Sequence, residues 1–306
     1  YSTTKTMTAL TALLIADRGE LDFDAPVAKY WPEFAQNGKA DVTVAQLMSH
    51  SSGLSGWEVP ITREDLYDWE KATSAAQAPW WEPGTHVGYH AITQGYLVGE
   101  VIRRITDKSL GTVFREEIAE PLDADFHIGL AAEHDHRVAD LIPPKAGAAQ
   151  AAANDIQRKP FTTPPINPFD TRSREWRGAE IPAAGGTGNA RSVAEIHVLL
   201  ANGGIAKGKR ILSEAGCRKA LEQQIQGNDL VLFGLPLKFG LGFGLTGETV
   251  QLPNENSMFW GGYGGSQILI DMENRATYSY VMNKMGEGLL GDMRSADLIG
   301  AVRAAS

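Results

Sequence analysis

The chain has 306 residues, of which 43% are hydrophobic and 21% are charged, as in an ordinary globular protein. Its formal net charge is −9 and it has no block of lysine and arginine, which argues against nucleic acid and anionic membrane surfaces as partners. The longest apolar stretch is too short to span a bilayer, and Cys217 is the only cysteine, which excludes an intrachain disulfide and favours a reducing compartment such as the cytoplasm.

The first predicted element is a helix that begins almost at once. Ser2-Thr3-Thr4-Lys5 leads into an apolar run, and the spacing predicts a helix over residues 3–17 that is ended by Gly19. Serine and threonine are common helix N-caps, so capping alone accounts for the tetrapeptide. A second interpretation is catalytic, because residues three apart share a helix face and the Ser2 hydroxyl would lie beside the Lys5 amine. This is the only Ser-x-x-Lys in the chain.

The segment up to residue 119 is predicted to be mainly helical. We expect a short helix closed by glycine over residues 42–54, a polar helix over residues 63–77, and apolar helices over residues 91–106 and 110–119. Pro83-Gly84 predicts a turn ahead of Val87-Gly88-Tyr89-His90. Tyr89 has two interpretations: it is a core tyrosine, or it is a base whose phenolate is favoured by a nearby lysine ammonium.

The second half of the chain changes from helix to strand. Residues 143–182 are predicted to form a long irregular excursion, and a helix over residues 193–202 is capped by Gly203. Strands are predicted over residues 240–245, 257–260, 267–271 and 277–282, and a closing helix over residues 289–304. Helices first and strands last predict an α+β fold. Its parts are a mainly helical domain over residues 1–205, which carries Ser2, Lys5 and Tyr89, and an antiparallel sheet with a C-terminal helix over residues 206–306.

Several short motifs that suggest a cofactor or metal are better explained as turns and loops. The stretch from Gly203 to Lys209 approaches a phosphate-binding loop, but Arg210 stands where the magnesium-binding serine or threonine belongs. The glycines at 240, 242 and 244 lie in a predicted strand, where glycine more often permits close backbone approach. In Glu133-His134-Asp135-His136 the histidines are two apart, and no His-Glu-x-x-His completes a zinc site. No metal and no cofactor are therefore predicted.

A glycine-rich stretch near residue 260 is a further candidate. Trp260-Gly261-Gly262-Tyr263 ends a predicted strand, and its glycines suit either a crowded strand crossing or a substrate that lies against the backbone. In the second case the exposed N–H groups are suited to stabilising an oxyanion. No Gly-x-Ser-x-Gly occurs, which excludes the α/β-hydrolase arrangement of an active serine.

These candidates occur in the order seen in the serine β-lactamase-like superfamily. Ser2-x-x-Lys5, Tyr89 after a Pro-Gly turn, and Trp260-Gly261-Gly262 on a late strand resemble the motifs of family VIII carboxylesterases, which are similar to class C β-lactamases. Supporting segments spread over most of the chain, among them Leu47-Met48-Ser49-His50-Ser51-Ser52-Gly53-Leu54 and Ala201-Asn202-Gly203-Gly204. The resemblance implies a β-lactamase/DD-peptidase-like fold, with an antiparallel sheet flanked by helices and a mainly helical domain.

The resemblance also implies roles for individual residues. Ser2 would be the acyl-accepting nucleophile, Lys5 would take its proton, and Tyr89 would pass a proton to the leaving group and later activate water. The backbone N–H groups of Ser2 and Tyr263 would form the oxyanion hole. The other residues expected at the substrate are Trp260, Gly261 and Gly262. The implied partner is a small or short-chain carboxylic ester, with no cofactor; the oligomeric state is left open.

Two departures from class C β-lactamases bear on the substrate. Tyr89-His90-Ala91 stands where those enzymes have Tyr-x-Asn, and Trp260-Gly261-Gly262 stands where they have Lys-Thr-Gly. Losing that lysine removes the cation that would pair with a β-lactam carboxylate, whereas an indole offers apolar surface. An esterase is therefore expected. The alternatives are a β-lactamase, DD-peptidase, amide hydrolase or acyltransferase of the same fold, and a non-catalytic binding protein, which would have lost one of the three catalytic residues.

A third departure concerns the start of the sequence. Proteins of this superfamily carry a helix and the first strands of the sheet before the serine, and almost nothing precedes Ser2 here. We expect the numbering to begin inside a longer chain, because missing strands would leave a sheet edge exposed to aggregation.

Overall fold

A computed structural model describes residues 1–74, 77–145 and 152–305. The α-helices in these ranges are α1 (Thr4–Asp17), α2 (Val44–Met48), α3 (Trp69–Ser74), α4 (Thr93–Thr106), α5 (Leu110–Phe114), α6 (Asp155–Thr162), α7 (Arg174–Gly178), α8 (Ala190–Ala201), α9 (Glu214–Arg218) and α10 (Met293–Ala305). The strands are β1 (Phe126–His127), β2 (Thr187–Gly188), β3 (Ile205–Ala206), β4 (Lys209–Arg210), β5 (Ile225–Asn228), β6 (Pro236–Phe239), β7 (Gly244–Leu245), β8 (Ser257–Gly261), β9 (Gln267–Asp271) and β10 (Ala276–Tyr280).

The main sheet has six antiparallel strands in the order β10-β9-β8-β7-β6-β5. Strands β8 and β9 pair along their whole length, from Ser257 opposite Asp271 to Gly261 opposite Gln267. Strand β7 is short, and its pairing with β8 reaches only Phe259. The end of β8 is therefore unpaired on the β7 side, and the residue that follows it, Gly262, lies against the backbone at the start of α1.

Helix α1 runs through the middle of the hydrophobic core. Every residue from Thr4 to Ile15 is buried, which is typical of a helix that packs on all sides. Helices α4, α5 and α9 pack against α1, while α8 packs against β9 and β10. The helices and the sheet share one core, which includes Leu10, Ile102, Leu199 and Ile268. Ser2 thus precedes a helix whose position is fixed on every side.

The predicted helices are found in the expected places, but several are shorter. The helix predicted over residues 42–54 is only α2, which starts at a capping box between Thr43 and Gln46 and is followed by His50 with φ of 61°. The helix predicted over residues 63–77 is divided into a 3-10 turn and α3, because Asp68 between them is extended with ψ of 106°. Residues 75 and 76 lie outside the described residues.

The strand predicted over residues 240–245 is found only at its end, where Gly244–Leu245 form β7. The chain turns before it, between β6 and β7, and Gly242 has φ of 86°. A Cβ on Gly242 would lie 2.3 Å from the Cβ of Ala9, so glycine lets this turn pack directly on α1. For Gly242, the interpretation as a point of close backbone approach therefore holds, in the turn before β7.

Other differences lie at the ends of elements and in the irregular region. The β5–β6 hairpin was not predicted, and α6 and α7 lie within the segment predicted to be irregular, of which residues 146–151 fall outside the described ranges. The last helix begins at Met293 rather than at residue 289. Residues 203–210 form the turn before β3 and the β3–β4 hairpin, in agreement with the turn predicted there.

The division into domains 1–205 and 206–306 stays a prediction. All six strands of the main sheet lie in the second range, and Ser2, Lys5 and Tyr89 lie in the first. Across the described ranges, no helix is both long enough and apolar enough to cross a membrane.

Candidate active site

Ser2 and Lys5 meet at the first turn of α1. The backbone N–H of Lys5 donates to the Ser2 carbonyl at 3.0 Å, which closes the turn. This helical spacing brings the Lys5 Nζ to 3.2 Å from the Ser2 Oγ. Both side chains are almost fully enclosed, with Ser2 8% and Lys5 2% exposed. The pair predicted from the Ser-x-x-Lys spacing is therefore in hydrogen-bonding contact.

Lys5 is held by two backbone carbonyl groups in addition to Ser2. Its Nζ donates to the carbonyl oxygen of Ala91 at 2.6 Å and to that of Ala183 at 3.0 Å. Burial lowers the pKa of Lys5 well below its usual value, which favours the neutral amine. A neutral amine has two N–H groups and one lone pair. Because the two carbonyls take the N–H groups, the lone pair is directed at the Ser2 hydroxyl.

Tyr89 approaches Ser2 from the other side. Its hydroxyl donates to the Ser2 Oγ at 2.6 Å, and its side chain is buried. Burial raises the pKa of the Tyr89 phenol, so the hydroxyl keeps its proton. The Ser2 Oγ thus accepts hydrogen bonds from both the Tyr89 hydroxyl and the Lys5 Nζ, and a neutral Lys5 amine can turn its lone pair to the Ser2 proton. Burial disfavours the charged form of both groups, so it works against the phenolate beside a charged lysine that the sequence suggested.

The residues predicted to form the oxyanion hole lie where the end of β8 meets the start of α1. A Cβ on Gly262 would be 2.8 Å from the Ser2 backbone N, so the two backbones are in direct contact. The Thr3 hydroxyl donates to the Ser266 Oγ at 2.9 Å, which ties α1 to the turn after β8. Among the described residues, neither the Ser2 N–H nor the Tyr263 N–H has a hydrogen-bond acceptor. Both donors are therefore available to a substrate oxygen.

Trp260 packs behind Tyr89 as part of a buried aromatic cluster. Its ring centroid is 5.5 Å from that of Tyr89, 5.2 Å from that of Phe239 and 5.9 Å from that of His50, on which it stacks. Only 1% of Trp260 is exposed. Trp57 and Trp176 belong to the same cluster. Apolar aromatic rings thus pack behind Tyr89 where it contacts Ser2. Trp260 contributes an indole to this cluster and no positive charge.

The same aromatic cluster extends to Tyr1, the residue before Ser2. The Tyr1 ring is 6.0 Å from the Trp176 ring and 5.7 Å from the Tyr263 ring, measured between centroids. Trp81, another of the tryptophans near the site in sequence, lies over Gly88, where a Cβ would be 2.2 Å from the indole. Trp176 and Trp81 therefore pack on Tyr1 and Gly88, the residues that precede Ser2 and Tyr89.

The structure gives the His134 segment no arrangement suited to a metal. His134 and His136 lie in a short 3-10 helix, Ala132–Arg137. Within the described ranges, no group of three or more histidine, cysteine or acidic side chains is arranged to hold a metal ion. His134 lines a cavity of about 610 Å³ together with His127 and Thr3, but Ser2, Lys5 and Tyr89 are not part of its wall.

Two buried residues at the site were missed from the sequence. His50 and Asp229 both accept hydrogen bonds from the backbone around Tyr89. His50 lies in a segment that supported the resemblance, but nothing in the sequence connects it with Tyr89. Asp229 follows β5, in a hairpin that was not predicted, so no signal pointed to it.

Comparison with known proteins identifies the family. The β-lactamase family model matches residues 1–301. The esterase/beta-lactamase LipL of Mycobacterium tuberculosis is 36% identical over 306 aligned residues, which cover 93% of this chain and 68% of LipL. The crystal structure of a family VIII carboxylesterase superposes with a TM-score of 0.94 at 41% identity, covering 100% of this chain and 82% of the other.

A second solved structure supports the same assignment. A penicillin-binding protein homolog from Caulobacter crescentus superposes with a TM-score of 0.93 at 38% identity, and the match covers 100% of this chain and 82% of the homolog. These matches confirm the resemblance and the α+β, β-lactamase-like fold predicted from the sequence. The chain therefore belongs to the β-lactamase family, as a relative of the family VIII carboxylesterases.

Proposed function

We propose that this carboxylesterase hydrolyses small, uncharged carboxylic esters through an acyl-enzyme on Ser2, with Lys5 and Tyr89 as the proton-transfer pair. The observation that carries the proposal is the position of the Ser2 Oγ, 3.2 Å from the Lys5 Nζ and 2.6 Å from the Tyr89 hydroxyl. A serine needs an adjacent base to become a nucleophile, and the neutral Lys5 amine supplies one.

Acylation uses the hydrogen-bond chain in one direction. The Ser2 proton moves to the Lys5 lone pair while Oγ forms a bond to the ester carbonyl carbon. The backbone N–H groups of Ser2 and Tyr263 hydrogen-bond the oxyanion that develops. The bond to the alkoxide then breaks, and the alkoxide takes the Tyr89 proton and leaves as the alcohol. The acyl-enzyme now has a Lys5 ammonium beside a Tyr89 phenolate, and each charge stabilises the other.

Deacylation returns both protons. The Tyr89 phenolate takes a proton from water, and the resulting hydroxide attacks the acyl carbon. When the bond between the acyl carbon and the Ser2 Oγ breaks, Oγ takes the proton back from Lys5. The products are the carboxylic acid and the resting enzyme, with Lys5 neutral and Tyr89 protonated. The phenolate suggested by the sequence thus belongs to the acyl-enzyme and not to the resting state.

An uncharged substrate fits the aromatic surroundings of Ser2. Trp260 brings no cation to pair with a substrate carboxylate, and Tyr1, Trp176 and Tyr263 provide apolar surface. The name of the relative LipL includes both esterase and beta-lactamase, so β-lactam hydrolysis is the competing activity to be measured. The absence of a nucleic-acid partner and the cytoplasmic location stay predictions based on the net charge and on Cys217.

Mass spectrometry of the acyl-enzyme tests the proposal. Incubation with a p-nitrophenyl phosphonate should add one label to the protein, located in the peptide that contains Ser2. Ser2→Ala should take up no label and lose ester hydrolysis while it keeps the fold. Ser49→Ala, which removes another buried serine, should still be labelled. Label on a different residue, or hydrolysis by folded Ser2→Ala, would contradict the assignment of Ser2.

A further inference from the structure

Tyr89 lies in a segment that has no regular secondary structure of its own. Residues 86–90 belong to neither a helix nor a strand, although Gly88, Tyr89 and His90 are buried. Buried backbone N–H groups need acceptors, and here no helix or sheet ladder provides them. Groups from elsewhere in the chain must therefore hold the backbone that carries the Tyr89 hydroxyl.

His50 supplies two of the acceptors. Its carbonyl oxygen accepts the N–H of Gly88 at 2.9 Å, and its ring Nδ1 accepts the N–H of His90 at 3.1 Å. The φ of 61° at His50 is in the left-handed region, which is uncommon for a residue other than glycine. Burial holds the pKa of His50 well below its usual value, so the ring stays neutral and Nδ1 remains an acceptor.

Asp229 supplies the third acceptor, between the other two. Its Oδ1 accepts the N–H of Tyr89 at 3.1 Å and also those of Val231 and Leu232, each at 2.8 Å. The next residue, Leu230, donates its N–H to the carbonyl of Val87 at 2.9 Å. The loop of the β5–β6 hairpin is thereby joined to the Tyr89 segment by two hydrogen bonds. Asp229 is fully buried.

We propose that His50 and Asp229 are positioning residues that act together to hold the Tyr89 hydroxyl against the Ser2 Oγ. The inference rests on the proposed function of Tyr89. Three successive N–H groups, those of Gly88, Tyr89 and His90, are held by two residues that are far apart in sequence: the carbonyl and ring of His50 and the carboxylate of Asp229. The His50 ring also packs edge-on against the Tyr89 ring, with centroids 4.9 Å apart. His50 thus holds the backbone on both sides of Tyr89 and also contacts the Tyr89 ring.

The chemistry at Tyr89 depends on this placement. A proton passes between Tyr89 and the leaving alkoxide, so the hydroxyl must lie within hydrogen-bond reach of the atoms that react at Ser2. A displacement on the order of 1 Å lowers the rate of such a step by up to about 100-fold. Substrate binding depends on other surfaces. Loss of a positioning residue should therefore lower kcat and leave KM nearly unchanged.

The test compares two substitutions at Asp229. Asp229→Leu has a similar size but no acceptor, and we expect kcat for ethyl butyrate, whose alkoxide needs the Tyr89 proton, to fall by about 10- to 100-fold when counted per phosphonate-titrated active site. Asp229→Asn keeps an amide oxygen at the Oδ1 position and should stay within about three-fold of the original rate. If kcat of Asp229→Asn falls as far as kcat of Asp229→Leu, the inference is overturned, because restoring the hydrogen-bond acceptor would not restore the rate.

A double-mutant cycle with Tyr89→Phe separates positioning from general stabilisation. If Asp229 acts through the Tyr89 hydroxyl, Asp229→Leu should change kcat by less than about two-fold once that hydroxyl is absent. Equal losses in both backgrounds would show that Asp229 only supports the fold. Full activity of Tyr89→Phe by itself would instead refute the proposed role of Tyr89. Normal kcat of Asp229→Leu, with Tyr89→Phe impaired, would refute only the positioning role.

Two further variants complete the experiment. Asp271 is a buried turn aspartate whose Oδ1 accepts the N–H groups of Glu273 and Asn274, and it lies opposite Ser257, at the end of β8 away from Gly261. Asp271→Leu should lower stability without lowering kcat per titrated site, and serves as the matched control. If Asp229→Leu does not fold, Asp229→Ser replaces it in the double-mutant cycle with Tyr89→Phe. The serine side chain is too short for its hydroxyl to reach the Tyr89 N–H, so the same changes in kcat support or overturn the inference.

Discussion

At the scale of single residues, burial sets the protonation states around Ser2. It lowers the pKa of the Lys5 amine and raises the pKa of the Tyr89 phenol, because in both cases the charged form is the one that is poorly solvated. The two groups hydrogen-bond the same oxygen atom. The lysine is therefore ready to accept a proton and the tyrosine to donate one, before any substrate is bound.

This arrangement predicts an acid limb in the pH dependence of kcat/KM. At low pH Lys5 is protonated and has no lone pair for the Ser2 proton, so activity should rise with pH as Lys5 loses its proton. Since the pKa of Lys5 lies well below the usual 10.5, the rise should be complete well before that pH. The pKa of Tyr89 is raised above the usual 10.0, so no alkaline decline from its ionisation is expected up to that value.

The measurement is kcat/KM for p-nitrophenyl acetate from acid to mildly alkaline pH, corrected for spontaneous hydrolysis. Lys5→Arg is the companion variant, because a guanidinium does not deprotonate in this range. It should be inactive across the profile instead of showing a shifted limb. A limb that sits at the ordinary lysine value would show that Lys5 is not the buried neutral base described above.

Some residues of the site could be predicted from the sequence, and others could not. Ser2 and Lys5 are one helical turn apart, so their contact follows from local geometry alone. Tyr89 and Trp260 were found through their order along the chain, which reflects the family resemblance. His50 and Asp229 meet the Tyr89 backbone only because the α2 loop and the β5–β6 hairpin pack on it. No local sequence spacing predicts these contacts, so His50 and Asp229 were missed.

At the scale of elements, the long helices could be predicted from local sequence, whereas the conformation of a turn depends on tertiary contacts. Helices α1, α4 and α8 are long and carry their apolar residues at helical spacing, and they were predicted to within a few residues. The stretch at residues 240–245 has the composition of a strand, but only residues 244 and 245 form one, because the packing of Gly242 on Ala9 turns the chain before them. Tertiary contact decides the conformation at that point, and a pattern confined to one segment cannot show it.

Substitution of Gly242 measures this contact. In Gly242→Ala the new methyl group would lie 2.3 Å from the Ala9 Cβ and 3.1 Å from the Met48 Cε, at a φ of 86°. We expect a loss of about 1–3 kcal/mol in the free energy of unfolding from the overlap, in addition to about 1 kcal/mol from the backbone conformation. Urea denaturation monitored by circular dichroism gives this free energy directly.

The matched control is Gly208→Ala in the β3–β4 hairpin. Gly208 has a similar φ of 75°, but a Cβ there would have no atom within 4 Å. It should therefore show only the backbone term, about 1 kcal/mol. Equal losses for the two variants would mean that the turn shifts away from α1 without penalty, and that contact with Ala9 does not determine its conformation.

At the scale of the whole molecule, charge and aromatic surface favour the same kind of substrate. The net charge of −9 repels anions at long range and leaves uncharged esters unaffected. Close to Ser2, the buried Trp260 ring takes the place of a cation and stacks on His50. An anionic β-lactam is thus disfavoured both on approach and at the site. A small neutral ester meets neither obstacle, which is why ester hydrolysis is the activity we propose.

The final prediction compares p-nitrophenyl butyrate with nitrocefin, whose carboxylate is charged. A partly shielded hydrogen bond between that carboxylate and a cation would contribute about 1.5–3 kcal/mol, or roughly 10- to 100-fold in kcat/KM, and this chain has no such cation at Trp260. We expect kcat/KM for the ester to exceed that for nitrocefin by orders of magnitude on the same preparation. Added salt should narrow the difference slightly, because it screens the net negative charge.

Two substitutions at Trp260 identify the cause of that preference. Trp260→Lys should reduce the ratio of kcat/KM for the ester to kcat/KM for nitrocefin, mainly by lowering ester activity. The substitution places an ammonium at a position that is only 1% exposed, and it removes the ring that packs on Tyr89. Trp260→Phe keeps an aromatic ring without a cation, and should lose some activity on both substrates while preserving their ratio. If Trp260→Phe reduces the ester-to-nitrocefin ratio of kcat/KM as much as Trp260→Lys does, the preference for the ester depends on the shape of the side chain and not on its charge. Nitrocefin turnover equal to or faster than ester turnover in the unmodified enzyme would go further and make it a β-lactamase.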